Sequence, residues 1–224
     1  MSDLTGRHVV ITGARGGLGP TVVEAFVAAG ATCHLPERSA SPPAANVHSI
    51  PGVDLTSEEA VRALYAGLPN LWASIHVAGG YAGKPFTETS LADLRQQLDI
   101  NLVTAFLCCR EAARKMSATG GGRIVNVASR AALVPAGGSI AYATSKAALV
   151  AMTQCLAEEL RPRSVLVNAV APSTMDTPAN RAAMPKADFT KWTHPTENAR
   201  AILWLASPEN TATSGAVLPT YGNA

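Results

Sequence analysis

The sequence is poor in the features that announce a metal centre, a disulfide scaffold or a nucleic-acid surface. Its four cysteines (Cys33, Cys108, Cys109 and Cys155) form no CxxC pair and show no metal-ligand spacing. A chain of 224 residues buries enough core to stand without disulfide staples. Cys108 and Cys109 are adjacent, so on a helix they face different directions, and packing rather than redox pairing is expected. Aromatic residues make up 5% of the chain, too few for a base-stacking surface. Charge is nearly balanced at +2, and the basic residues are scattered rather than striped, which excludes an electrostatic footprint for nucleic acid. No apolar run approaches the ~18 residues that span a bilayer. The opening "MSDLTGRHVVITG" enters a strand pattern almost at once, without a targeting segment. The expectation is a cytoplasmic protein with free thiols and with neither a nucleic-acid nor a membrane partner.

What is present is alternation. Short β-branched runs at 8–12, 32–36, 46–50, 72–78, 123–128, 165–171 and 216–219 predict seven strands. Between them, apolar residues at i, i+3, i+4 spacing predict helices over 18–29, 57–67, 91–116, 142–160 and 196–206. Strand and helix in turn indicate an α/β fold, a doubly wound Rossmann-type parallel sheet of about seven strands with helices on both faces. Pro20 suits the first turn of a helix, and Thr56 or Ser57 followed by Glu58 and Glu59 marks another helix start. The segment 37–49 is too rich in Pro, Ser and Ala for a helix and reads as an irregular loop. With no repeat and no long linker, residues 1–224 read as one domain.

Three stretches carry chemistry. "TGARGGLG", residues 12–19, lies between the first strand and the first helix. Glycines there allow a tight turn and let backbone N–H groups approach a pyrophosphate at the helix N-terminus. Glu37 ends the second strand, where an acid accepts hydrogen bonds from ribose hydroxyls and disfavours a 2′-phosphate; the adjacent Arg38 pulls the other way. In "AYATSKAALV", Tyr142 and Lys146 stand one helical turn apart on the same face. An ammonium beside a phenol favours the phenolate, which is how a tyrosine becomes an acid/base at neutral pH. Ser129, just past the strand "RIVNVA", is a candidate second donor to a reacting oxygen.

These motifs, with Asp54, "VAGG" at 77–80, Asn101 in "DINL" and "VNAVAPSTMDTP" at 167–178, occur in an order that resembles the classical short-chain dehydrogenases/reductases over nearly the whole chain. The resemblance implies an NAD(P)-dependent oxidoreductase acting on a small carbonyl or alcohol, with no metal. It implies Tyr142 as acid/base, Lys146 as the group that lowers its pKa and holds the nicotinamide ribose, Ser129 as the positioner of the substrate oxygen, and Asn101 as the link from the lysine to a proton relay. Gly13, Gly17 and Gly19 would form the pyrophosphate turn, Glu37 the ribose contact and Asp54 the adenine contact. Ala78 and Gly79 would flank the adenosine, and Thr177 would meet the nicotinamide amide. Thr12, Arg15, Gly16, Leu18, Leu55, Pro172 and Thr174, together with Tyr142 itself, complete the expected cofactor contacts. NAD is the expected cofactor on the strength of Glu37, with NADP as the alternative.

The chain also departs from that pattern. Val77 stands where an asparagine is usual, so a contact that stabilises the sheet is expected to be lost, and Ser173 replaces a glycine after the sixth strand. "GARGGLG", the short segment after the second strand, "VAGGYAG" and "DTPANRAAMPKADFTKW" at 176–192 are similar to the dihydropteridine reductase branch, which implies a dihydropterin-like substrate as an alternative. Residues 174–195, with Trp192 and His194, read as a substrate lid in which Pro178, Pro185 and Pro195 break regular structure. The resemblance further implies a homodimer or homotetramer through the helices at 91–116 and 142–160. A cofactor-binding sensor without activity is the rival reading, and the retained Tyr142, Lys146, Ser129 and Asn101 argue against it.

Overall fold

In the computed structural model, which describes residues 3–40 and 42–223, seven strands form one sheet in which every pairing is parallel. They are β1 (His8–Thr12), β2 (Thr32–Pro36), β3 (Val47–Ile50), β4 (Leu71–His76), β5 (Gly122–Val127), β6 (Val165–Pro172) and β7 (Val217–Thr220). Their order is β3-β2-β1-β4-β5-β6-β7. The helices are α1 (Gly19–Ala28), α2 (Glu58–Ala66), α3 (Leu91–Leu98), α4 (Thr104–Ala118), α5 (Arg130–Leu133), α6 (Ile140–Leu160), α7 (Pro178–Ala183) and α8 (Pro195–Ala206).

The period-2 alternation of a strand is visible in the packing. Val9 and Ile11 join Val22 and Phe26 of α1 and Ile202 and Leu205 of α8 in the core on one face. Val10, between them, joins Leu64 of α2, Leu107 and Met116 of α4, and Val167 in the core on the other. All six residues of β5 are buried, as a central parallel strand covered on both faces must be. Ser57 caps α2, its hydroxyl accepting the Ala60 N–H, and Pro20 sits in the first turn of α1.

Two expectations need correction, and one helix adds to them. The helix expected over 91–116 is two helices joined by a π-helical turn at Asp99–Val103. One wide turn inserts a residue without breaking the apolar stripe, so a 3.6-residue period does not register it. Pro178 and Pro195 do not interrupt structure: each opens a helix, where a missing N–H is harmless. Finally, α5 was not foreseen; Ser129 caps it, its hydroxyl accepting the Ala131 N–H at 3.2 Å. The stretch 37–46 carries no helix, as expected, and Ser41 lies outside the described residues. All four cysteines are free, and no helix among the described residues is long and apolar enough to cross a membrane.

Candidate active site

Strand order reverses direction between β1 and β4, so the loops leaving their C-terminal ends diverge and open a crevice there. The glycine-rich turn lies in it. Gly13 has φ of 69°, and a Cβ on it would stand 2.5 Å from the Ala78 backbone nitrogen. Only a bare backbone fits between the two loops. Thr12, buried, clasps them by accepting the Ala78 N–H at 3.2 Å. Gly19 opens α1 so close to this turn that a Cβ would meet the Gly13 carbonyl oxygen at 2.2 Å. No side chain caps the N-terminus of α1 and no acid lies in its first turn, so its dipole and N–H groups remain available to an anion.

A cleft of about 1000 Å³ runs from this turn along Gly13, Arg15 and Gly16 to Glu37, and is also lined by Asp54, Leu55, Ala78 and Gly79. Glu37 is 7% exposed. Its carboxylate lies 3.1 Å from Arg15 Nε and accepts the Ser49 hydroxyl at 2.6 Å. The Arg15 guanidinium also donates to Ser39 Oγ and the Ala40 carbonyl. Glu37, expected as the ribose acid, thus lines the cleft with its charge matched by a residue of the glycine-rich turn. Asp54 accepts from the Thr56 hydroxyl at 2.7 Å and the Thr56 N–H at 2.9 Å, and these bonds hold its carboxyl below the ordinary range.

A second cavity, of about 200 Å³, adjoins the turn and is lined by residues that include Gly17, Leu18, Ser129, Tyr142, Lys146 and Pro172. Tyr142 lies in the first turn of α6 and Lys146 one turn later. Lys146 is 5% exposed, and its ammonium donates to the Val127 carbonyl at 2.7 Å. Burial brings it down to about 8. The expected depression of Tyr142 by Lys146 is not what this geometry gives. Burial holds the phenol above its ordinary value; a hydrogen bond with Ser129 opposes that shift, and the neighbouring Tyr81 adds to it. The i, i+4 spacing places the pair on one face, but the ammonium is engaged elsewhere.

Asn101 sits in the middle of the π-helical turn and is completely buried. Its side-chain amide donates to the Gly80 carbonyl and its oxygen accepts the Gly80 N–H, both at 3.0 Å. A Cβ on Gly79 would lie 2.6 Å from Asn101 Oδ1 and 3.3 Å from Lys146 Nζ, so the three groups converge on one point. Thr177 caps α7 and sets its methyl beside Gly17. Thr174 lines neither cavity; its carbonyl accepts the Thr193 N–H. His194 caps α8 in a reciprocal box with Glu197, which gives that residue a structural role.

Sequence reasoning missed a buried relay beneath the site. His76, next to the unusual Val77, is 2% exposed. Its Nδ1 meets Asn126 Oδ1 at 2.8 Å and its Nε2 meets Ser74 Oγ at 2.8 Å. Ser74 meets the Tyr65 hydroxyl at 2.7 Å, and Asn126 donates to Thr153 Oγ1 at 2.9 Å. One proton order satisfies every group: Tyr65 donates to Ser74, Ser74 to Nε2, and Nδ1–H to Asn126. That order needs a neutral imidazole, and burial lowers His76 to about 4. The relay ties α2, β4, β5 and α6 together, so the cross-strand contact expected to be lost at Val77 is supplied one residue earlier. Tyr81 was also missed, although "VAGGYAG" was singled out as a motif; its ring lies 5.0 Å from that of Tyr142.

Residues 7–188 match the short chain dehydrogenase family. The chain is 30% identical to a 2,5-dichloro-2,5-cyclohexadiene-1,4-diol dehydrogenase of Sphingobium indicum, over 99% of this chain and 98% of that protein. It is 30% identical to the D-threitol dehydrogenase of Mycolicibacterium smegmatis, over 98% and 93% respectively. Among solved structures, a short chain dehydrogenase/reductase family protein superposes with a TM-score of 0.91 at 28% identity, covering 98% of this chain and 97% of that one. The ligand-free aldohexose dehydrogenase of Thermoplasma acidophilum superposes with a TM-score of 0.89 at 27% identity, covering 99% and 95%.

Proposed function

The chain belongs to the short-chain dehydrogenase/reductase family and is an oxidoreductase, and from that premise we propose that it moves a hydride between a nicotinamide dinucleotide and a small alcohol or ketone, with Tyr142 as acid/base. The observation that carries this reading is the meeting of Tyr142, Ser129 and Lys146 in one cavity that adjoins the glycine-rich turn.

The site fits a dinucleotide. The turn is a cradle that a Cβ would fill, and the N-terminus of α1 is left uncapped. Gly13, Arg15, Gly16, Gly17 and Leu18 would hold the pyrophosphate, and Glu37, Asp54 and Leu55 the adenosine end. Pro172, Thr177 and Lys146 would hold the nicotinamide end. When bound, the dinucleotide supplies the hydride for reduction or receives it on oxidation.

The chain's own residues do the rest. Ser129 donates to the substrate oxygen and fixes its position. Tyr142 gives that oxygen a proton during reduction and takes one from it during oxidation. Lys146, at about 8, is still largely an ammonium near neutral pH; anchored on the Val127 carbonyl, it would hold the nicotinamide ribose rather than lower Tyr142. Asn101 anchors the loop at Gly79 and Gly80 against Lys146. Residues 174–195, whose two ends pair at Met175 and Thr193, form the wall that closes over the substrate.

The relatives named above are, by their names, dehydrogenases of a cyclic diol and a tetritol. They support an alcohol or ketone and lend nothing to a dihydropterin substrate. Glu37 favours NAD(H) over NADP(H) because its carboxylate lies in the cleft where a 2′-phosphate would have to be accommodated. A homodimer or homotetramer through the α4 and α6 faces, where Phe106 is left 49% exposed, belongs to the same reading.

The test is spectrophotometric: oxidation of NADH and of NADPH by a panel of ketones, and reduction of the oxidised forms by the matching alcohols. Turnover with NADH of at least one ketone is expected. A protein that binds the dinucleotide but turns over none of the panel would refute the assignment.

A further inference from the structure

The small cavity has an aromatic wall that the proton chemistry does not use. Tyr81 lines it beside Tyr142 and Ser129, with the two tyrosine rings 5.0 Å apart at an interplanar angle of 75°. Tyr81 is nevertheless 69% exposed, so a large ring in contact with the acid/base is left uncovered at the reacting centre. A single exposed aromatic on an ordinary surface needs no explanation, but one that touches the proton donor does.

The ring is held in its attitude rather than left loose. A Cβ on Gly83 would lie 2.3 Å from the Tyr81 hydroxyl oxygen and 2.7 Å from the Gly138 carbonyl oxygen. The hydroxyl end of Tyr81 therefore occupies space that any side chain at position 83 would take. One edge-to-face contact and one bare backbone fix the tilt of the ring.

The rest of the lining says what charge is welcome. Lys146 is the one ionic side chain of that lining, and its ammonium is bonded to the Val127 carbonyl. Val77, Val127, Ala128, Pro172 and Met175 are apolar. Exposed Leu133, Val134 and Ile140, in the segment between Ser129 and Tyr142, extend the apolar character along the chain. Apart from Lys146, Ser129 and Tyr142, which the cofactor and the reacting oxygen engage, the lining offers a carboxylate or phosphate only the Ser173 hydroxyl, whereas a flat uncharged ring would find the Tyr81 face.

We propose that Tyr81 is a specificity-determining residue: its ring is a platform that selects an uncharged alicyclic or aromatic substrate over an open-chain one bearing the same reacting group. The identity of the reacting group rests on the function proposed above; the ring platform does not.

Two measurements separate them. The first compares kcat/KM for cyclohexanone and 2-hexanone, which have equal carbon count and no charge, in the wild type, Tyr81→Phe, Tyr81→Ala and Gly83→Ala. The cyclic-to-open ratio should fall about threefold to tenfold in Tyr81→Ala, through KM rather than kcat, because an aromatic contact of that worth is lost. Tyr81→Phe should keep the ratio. Gly83→Ala, which displaces the ring without deleting it, should lower it part of the way. The second is equilibrium binding of benzamide and heptanamide, uncharged and not open to hydride transfer, to the wild type and Tyr81→Ala by titration calorimetry. Benzamide should bind the variant at least threefold more weakly, and heptanamide equally. Equal benzamide affinity in the two proteins, or a ratio that survives Tyr81→Ala, overturns the platform. If Tyr81→Ala does not fold, an unchanged ratio in Gly83→Ala overturns it instead. If benzamide behaves as expected while the wild type reduces neither ketone, the platform stands and the proposed reaction falls.

Discussion

Acidification should destabilise this protein through two histidines, and the structure gives the size of the effect. His76 is sealed beneath the site with both ring nitrogens bonded. His34 lies in β2 with His8 Nδ1 3.0 Å from its Nε2, and with the His48 ring stacked at 5.2 Å between centroids. Burial brings both His76 and His34 down to about 4; at His34, repulsion from His8 and His48 adds to it. In the unfolded chain each returns to about 6.5. The native state thus binds fewer protons than the unfolded one. The stability these histidines confer by remaining neutral is complete above pH 6.5 and is lost as pH falls through 4. At pH 5 each contributes a loss of about 2 kcal/mol, rising to about 3 kcal/mol below pH 4. Together that is a large part of a typical total of about 5–15 kcal/mol. Urea unfolding followed by circular dichroism at half-unit steps from pH 7.5 to 4.5 would show it, as a steepening uptake of up to about two protons per unfolding event. In His34→Phe the slope should drop to that of one histidine. A midpoint that stays level between pH 7 and 5, or a slope that His34→Phe leaves unchanged, refutes the reasoning.

The other expectations concern the cradle and the core. Gly13→Ala forces a Cβ against Ala78 at a positive φ; it should lower stability by about 1–3 kcal/mol and abolish detectable dinucleotide binding by fluorescence titration. Glu37→Gln leaves Arg15 without its carboxylate partner, so the guanidinium becomes available to a 2′-phosphate. The ratio of NADPH to NADH dissociation constants should then shift about tenfold toward NADPH by calorimetry, and a ratio that does not move would remove Glu37 from cofactor choice. Phe26→Ala, at a fully buried position of α1, should cost about 3–5 kcal/mol in urea unfolding at pH 7.5.

Much of the architecture was legible because period 2 and period 3.6 leave different traces. The strands at His8–Thr12 and Thr32–Pro36 fall where their β-branched and apolar runs predict. The π-helical turn at Asp99–Val103 was not legible, since an inserted residue leaves Leu98, Leu102 and Val103 looking like one continuing stripe. The same turn carries Asn101 to the site. Tyr142 and Lys146 were correctly placed on one face, but spacing says nothing of burial or of the Val127 carbonyl, and so the sense of the effect on Tyr142 was misjudged. The partnership of Arg15 with Glu37 joins two motifs read separately, and it exists because β1 and β2 pair side by side. The relay through His76 consists of polar letters inside strands and helices, whose partners depend on strand register. Tyr81 belongs to a motif noticed as a unit, and only the fold of its loop turns the ring toward Tyr142.

The most direct measurement is a comparison of the wild type with Tyr142→Phe on one substrate found by the ketone and alcohol panel, with the dinucleotide dissociation constant measured on the same samples. If Tyr142 is the acid/base, kcat falls about 10²–10⁴-fold and dinucleotide affinity is unchanged, because the lost hydroxyl serves the substrate oxygen. Turnover in Tyr142→Phe at the wild-type rate would contradict the central claim, and the proton would have to come from another group in the cavity.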